Sequence, residues 1–126
     1  MLIFIVIIQL INLNYICMKK ILFVVLGTVV LAGAGCNNYV AEKAVEAGFK
    51  MISVVHPTAY VSPLAVLGPG TMICAQAAVI TGARLGRSVM VNTCASVDHD
   101  CQLGDFVHIA PGAHLGGNVV VGDGSL

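Results

Sequence analysis

His99 stands between two carboxylates in Val97-Asp98-His99-Asp100-Cys101, and no other histidine of the chain has such neighbours. An imidazole ordinarily titrates near 6.5, so at neutral pH it can accept a proton from an attacking nucleophile. A carboxylate beside it can orient the ring and stabilise its charged form; Asp100 and Asp98 both stand in reach of that role. Gly117 follows His99 by 18 residues. Lacking a Cβ, a glycine leaves its backbone N–H open, the kind of donor that stabilises an oxyanion. Whether these groups meet depends on the elements that carry them.

Those elements are repeats. From Val55 the chain divides without insertion into the hexads VHPTAY, VSPLAV, LGPGTM, ICAQAA, VITGAR, LGRSVM, VNTCAS, VDHDCQ, LGDFVH, IAPGAH, LGGNVV and VGDGSL. The first residue of every hexad is Val, Leu or Ile, and the fifth is small or β-branched. The fifth residue and the first of the next hexad lie two apart, so on a strand both point to one side, inward. The third and fourth positions collect Pro, Gly, Asn and Asp, the residues of tight turns. Short strands therefore alternate with corners. Three hexads close one triangular coil, and stacked coils form a parallel β-helix. One coil is 18 residues, which brings Gly117 to the same corner as His99 and stacks Asp100 with Asn118. A base and an open N–H at one corner are the parts of an acyl-transfer site.

Composition agrees. Only 10% of residues are charged, the formal charge is zero and mean hydropathy is +0.95. A solenoid walled by short strands uses Gly, Ala, Val and Pro where a helical domain would use Lys and Glu. Six scattered Lys and Arg provide no basic face, which excludes a nucleic-acid partner.

The run Val91–Val121, VNTCASVDHDCQLGDFVHIAPGAHLGGNVVV, resembles the sialic-acid O-acetyltransferase and amino-sugar N-acetyltransferase family of hexapeptide acyltransferases. Its members read N-T-x-A-x-V-[DE]-H-[DE]-C-x-[IL]-G-[DE]-F-x-H-[IVL]-x-P-G-A-x-[LC]-x-G-N-V. Upstream, NNYVAEKAVEAGFKMISVVHPTAYVS is similar to the family's linker from a small nucleotide-sugar-binding α/β domain. The resemblance implies a left-handed hand for the β-helix, acetyl-CoA as acyl donor, a sugar or nucleotide-sugar acceptor, a homotrimer and a cytoplasmic location. It implies His99 as general base, Asp100 as its orienting carboxylate and Gly117 as the oxyanion donor beside acetyl-CoA. His108 matches the family's second motif histidine, which contacts acetyl-CoA at a subunit boundary. Transfer to an amine and transfer to a hydroxyl both remain open.

No metal is expected. The trimeric hexapeptide carbonic anhydrases place their last two histidine ligands five residues apart, whereas His108 and His114 are six apart, on different walls. Cys17, Cys36, Cys74, Cys94 and Cys101 form no C-x₂-C pair and are odd in number. Cys101 falls at an inward position and reads as a small core residue. His114 reads as surface and His56 as part of a His-Pro corner.

The expected organisation is an apolar N-terminal segment over residues 1–27, a strand–helix–strand (βαβ-like) remnant over 28–54 and the β-helix over 55–126. In the middle part, Thr28–Ala34 reads as a buried strand. Asn38 caps a helix over Tyr39–Ala47 with Gly48 as its stop, and Lys50–Val55 is a second strand. The family begins with a glycine-rich strand–turn–helix and continues past these coils to a cap. The chain is therefore expected to be truncated at both ends. From Met18, MKKILFVVLGTVVLAGAGC has the basic start, apolar stretch and small residues of a secretory or lipoprotein signal, although Gly33 stands where the lipobox has Leu. Membrane contact, if any, is expected only through residues 1–35. Two further functions follow from these features: a non-catalytic trimeric β-helix that only assembles, and an exported or lipid-anchored envelope protein.

Overall fold

The computed structural model describes residues 51–126 together with Glu42, Val45, Glu46, Gly48 and Lys50. The apolar segment 1–27, the signal-like run to Cys36 and the strand over Thr28–Ala34 lie outside the described residues. Two compact units divide between Lys50 and Met51. In the first, Glu42, Val45 and Glu46 are helical and the Gly48 N–H bonds the Val45 carbonyl at 2.9 Å. Gly48 sits at φ +83°, the left-handed turn that ends a helix.

The second unit is the parallel β-helix that the hexads predict. Among the described residues, twelve two-residue strands form three parallel walls of four strands each. The first wall holds β1 (Val54–Val55), β4 (Met72–Ile73), β7 (Met90–Val91) and β10 (His108–Ile109). The second holds β2 (Tyr60–Val61), β5 (Ala78–Val79), β8 (Ser96–Val97) and β11 (His114–Leu115). The third holds β3 (Val66–Leu67), β6 (Arg84–Leu85), β9 (Gln102–Leu103) and β12 (Val120–Val121). Every pairing steps by one coil, as in Met72↔Met90 and Val79↔Val97. The strand expected over Lys50–Val55 shortens to Val54–Val55. Only those two residues face a partner, Met72–Ile73, in the coil above, so β1 belongs to the solenoid.

The core follows from the two inward positions. Its buried members run from Ile73, Ala77 and Val79 through Val97 and Cys101 to Val107 and Ile109, and every one is a first or fifth hexad residue. Where an inward residue is polar, it reaches the carbonyl three residues back. Thr71, 1% exposed, donates its hydroxyl to the Gly68 carbonyl at 2.7 Å, and Ser125 bonds the Gly122 carbonyl at 2.8 Å. Cys101, the expected core cysteine, is fully buried and donates its thiol to the Gly116 carbonyl at 3.0 Å.

Corners are set by the fourth position. From Gly70 to Gly124 each residue there has positive φ, including Gln76, Ser88, Cys94, Asp100, Phe106 and Asn118, at φ 52–61°. A non-glycine residue in this region costs about 1–2 kcal/mol, and only Asp and Asn adopt it readily. The ladder bonds on both sides hold the others there.

The corner between the third and first walls carries a polar ladder. The Asp123 carboxylate accepts the Asp105 N–H at 2.7 Å, and the Asp105 carboxylate accepts both the Arg87 N–H and its Nε–H at 2.7 Å. The Arg87 guanidinium also lies 5.4 Å from the Phe106 ring centre. Burial pushes the Asp105 carboxyl up, but the Arg87 backbone and side-chain hydrogen bonds and its charge outweigh burial and hold it below its ordinary value. A carboxyl depressed by folding stabilises the native state above its unfolded pKa and ceases to do so as acid protonates it. Asp105→Asn is therefore expected to lower the urea midpoint at pH 7 by the equivalent of about 0.2–1 kcal/mol, the range of exposed ion pairs. The gap to the parent should close as pH falls below about 3.9. A gap unchanged down to pH 2 would assign the effect to shape instead of charge.

Candidate active site

The corner between the second and third walls brings the expected residues together. His99 and Asp100 occupy its third and fourth positions in the coil that follows β8. Asp100 is held at φ +59° by its N–H, which bonds the Thr81 carbonyl one coil below at 3.0 Å. This turn aims the Asp100 carboxylate back along the corner, where Oδ2 lies 3.0 Å from His99 Nδ1. An ionised carboxylate only accepts hydrogen bonds, so Nδ1 carries the proton. In the neutral ring the Nε2 lone pair is then free, which is the state a general base requires.

The two candidate orienting carboxylates divide the work. Asp98 accepts the His99 backbone N–H at 2.8 Å and leaves the ring to Asp100. One coil above, Gly117 lies against the imidazole. A Cβ at Gly117 would overlap Nε2, Cε1 and Cδ2 of His99, so the ring occupies the space a side chain would take. The Asn118 N–H bonds the His99 carbonyl at 2.9 Å and fixes the register of the two coils. No carbonyl or side chain of the described residues accepts the Gly117 N–H. His99 and Asp100 side chains are 53% and 62% exposed, so the pair stands at the surface of the solenoid.

His108 is not brought to this corner. It lies on β10, in the first wall, and a triangular coil places that wall opposite the corner between the second and third walls. There Nε2 lies 3.0 Å from Asn92 Nδ2, while Nδ1 is buried without a partner. His114, the expected surface histidine, is exposed on the second wall with Nδ1 2.8 Å from Ser96 Oγ. His56 Nδ1 accepts the Thr58 N–H at 3.2 Å, as a corner histidine does. Of the described thiols none lies at this corner: burial pushes the Cys74 thiol up, Cys101 is sealed in the core, and the exposed Cys94, between β7 and β8, donates to Gln76 Oε1 at 3.1 Å. Among the described residues no three His, Cys, Asp or Glu side chains gather closely enough to hold a metal ion. No helix of the described residues is long and apolar enough to cross a membrane.

Two contacts of this corner escaped the reading of the sequence. Thr81 and Gly82, one coil below the pair, seat the Asp100 N–H and the Asp100 carboxylate respectively. The 18-residue spacing that joins His99 to Gly117 also joins Gly82 to Asp100.

A parallel β-helix of hexads is the fold that the resemblance to the hexapeptide acyltransferases implies. No protein-family model matches the chain. Over 95 residues, 75% of its length, it is 34% identical to a GDP-perosamine N-acetyltransferase of Escherichia coli O157:H7 and covers 43% of that protein. The acetyltransferase domain of PglB from Neisseria gonorrhoeae FA1090 is 47% identical and superposes with a TM-score of 0.68, covering 69% of this chain and 42% of that one. The same domain in complex with acetyl coenzyme A superposes with a TM-score of 0.67. The chain spans less than half the length of these relatives. In sequence and fold its repeat region is similar to these sugar acetyltransferases.

Proposed function

We propose that the chain carries the catalytic corner of an acetyl-CoA-dependent acetyltransferase whose acceptor is the amino group of a nucleotide-linked sugar. The observation that carries this reading is the His99–Asp100 pair with its imidazole laid against Gly117. The relatives named above support an amine over a hydroxyl, since one is an N-acetyltransferase acting on a nucleotide-linked amino sugar; of the acceptors expected, sialic acid is the less supported.

The neutral amine attacks the thioester carbonyl carbon while His99 Nε2 takes its proton. Asp100 holds the ring in the correct tautomer and stabilises the imidazolium. Negative charge gathers on the thioester oxygen, for which the Gly117 N–H is the candidate donor; one such contact is worth about 2.7–4 kcal/mol in the transition state. The tetrahedral intermediate then breaks its C–S bond, and the departing thiolate recovers the proton from His99. The products are the acetamide and CoA.

His108 fits this scheme only from a second copy of the chain, because its own wall faces away from its own His99. We infer a homotrimer with acetyl-CoA held between neighbours, and a cytosolic supply of acetyl-CoA supports a cytoplasmic location. The test is incubation with acetyl-CoA and a nucleotide-linked amino sugar, following thiol release and the acetylated product by mass. Turnover with acetyl-CoA binding by calorimetry is the expected result. Trimers in sedimentation with neither binding nor turnover would favour the purely assembling β-helix instead.

A further inference from the structure

We propose that Gly82 is a positioning residue for the His99–Asp100 pair: its bare Cα is the seat that lets the Asp100 carboxylate reach the imidazole. The inference rests on the acyl-transfer reading above, and it adds a residue that touches neither substrate.

A Cβ built on Gly82 would overlap Asp100 Oδ1 and come within 3.2 Å of its Cγ and 3.5 Å of its backbone N. The carboxylate therefore rests on the glycine, with Oδ1 against Gly82 and Oδ2 turned to His99 Nδ1. No room exists for both a side chain at Gly82 and this rotamer of Asp100. The neighbouring residue completes the seat. Thr81 gives its carbonyl to the Asp100 N–H, and its hydroxyl lies 3.1 Å from that of Ser62, itself 4% exposed, in the coil below. Asp100 is thus tied at its backbone and free only to swing its carboxylate. With Oδ1 displaced, that swing carries Oδ2 away from the ring, toward solvent. His99 keeps its fold and its exposure but loses the acceptor that selects the Nδ1–H tautomer.

The variant is Gly82→Ala. Gly82 has φ +76°, so alanine there also brings left-handed strain. Gly112→Ala isolates that component: Gly112 has φ +69°, stands at the same hexad position of another corner, and has open space where its Cβ would go. Three measurements decide the matter in the intact chain. The first is the ring tautomer of His99, read from its two nitrogen chemical shifts by NMR. It should be Nδ1–H in the parent and in Gly112→Ala, and should shift toward Nε2–H in Gly82→Ala as it does in Asp100→Ala. The second is acetyl transfer. In Gly82→Ala kcat should fall by about 100-fold, the scale of a misplaced reacting group, with KM for acetyl-CoA within about twofold of the parent. The third is the double variant with Asp100→Ala, which should be no slower than Asp100→Ala alone. A His99 tautomer in Gly82→Ala identical to that in Gly112→Ala would overturn the proposal. Because the NMR measurement needs no turnover, a parent chain without acetyl transfer would sink the function above and still leave Gly82 decided by the tautomer.

Discussion

His99→Ala is expected to slow acetyl transfer by about 10²–10⁴-fold while leaving the β-helix intact. The ring is more than half exposed and makes one hydrogen bond, at 3.0 Å, to an equally exposed carboxylate. Its removal leaves no cavity, because the core is built only from the inward hexad positions. Stability should therefore stay within the about 0.5 kcal/mol typical of surface changes. Catalysis has no such tolerance. General base assistance contributes about 10²–10⁴-fold, and the other candidate bases are displaced from Nε2: Asp100 stands on the Nδ1 side of the ring, His108 is on the opposite wall, and Asp98 is tied to a backbone N–H. The loss should fall on kcat, with acetyl-CoA affinity by calorimetry nearly unchanged. His99→Gln offers a further control, since it fills the corner with a group that cannot take a proton. A His99→Ala protein with unchanged melting temperature and parental turnover would remove His99 from the mechanism.

Much of this was legible because the hexad is a short, strict period. Alternating inward positions name the core outright, and the coil length of 18 residues converts sequence distance into neighbours in space. His99 over Gly117 follows from that single number. The same number applied to Asp100 points back to Gly82, but that contact depends on the rotamer of the Asp100 carboxylate, which residue types do not reveal. Other features left no mark in residue types. Cys94, Phe106 and Ser88 adopt the left-handed conformation against their own preference. Their neighbours in the coils above and below dictate it, as the 3.0 Å bond from the Cys94 N–H to the Ala75 carbonyl illustrates. The division of labour between Asp98 and Asp100 was open for a related reason. Both flank the histidine in the chain, and only the left-handed turn at Asp100 decides which carboxylate faces the ring. At the start of the solenoid, Lys50–Val55 has the apolar run of a strand, but a strand needs a partner, and only Val54–Val55 has one.

Gly117→Ala should separate the role of that glycine from the role of the fold. Gly117 is not among the positive-φ residues, so alanine fits its backbone without strain. What does not fit is the imidazole, whose Nε2, Cε1 and Cδ2 lie where the new Cβ would be. Two responses are open: the coils separate, or the ring swings away. Separating the coils would break ladder bonds such as the 2.9 Å contact from the Asn118 N–H to the His99 carbonyl, each worth about 1 kcal/mol. Swinging the ring breaks only the exposed bond to Asp100, so the ring moves. Gly117→Ala is thus expected to melt within about 2 °C of the parent, consistent with a change well under 1 kcal/mol, yet to lose about 100-fold in kcat through the misplaced base. The N–H at residue 117 survives the substitution, so this loss reports the ring and not the oxyanion donor. In a His99→Ala background the new methyl group has nothing to displace, and adding Gly117→Ala should then cost little more. Losses that multiply in the double variant would show that Gly117 acts independently of His99, and an active Gly117→Ala enzyme would mean the ring works from a different position.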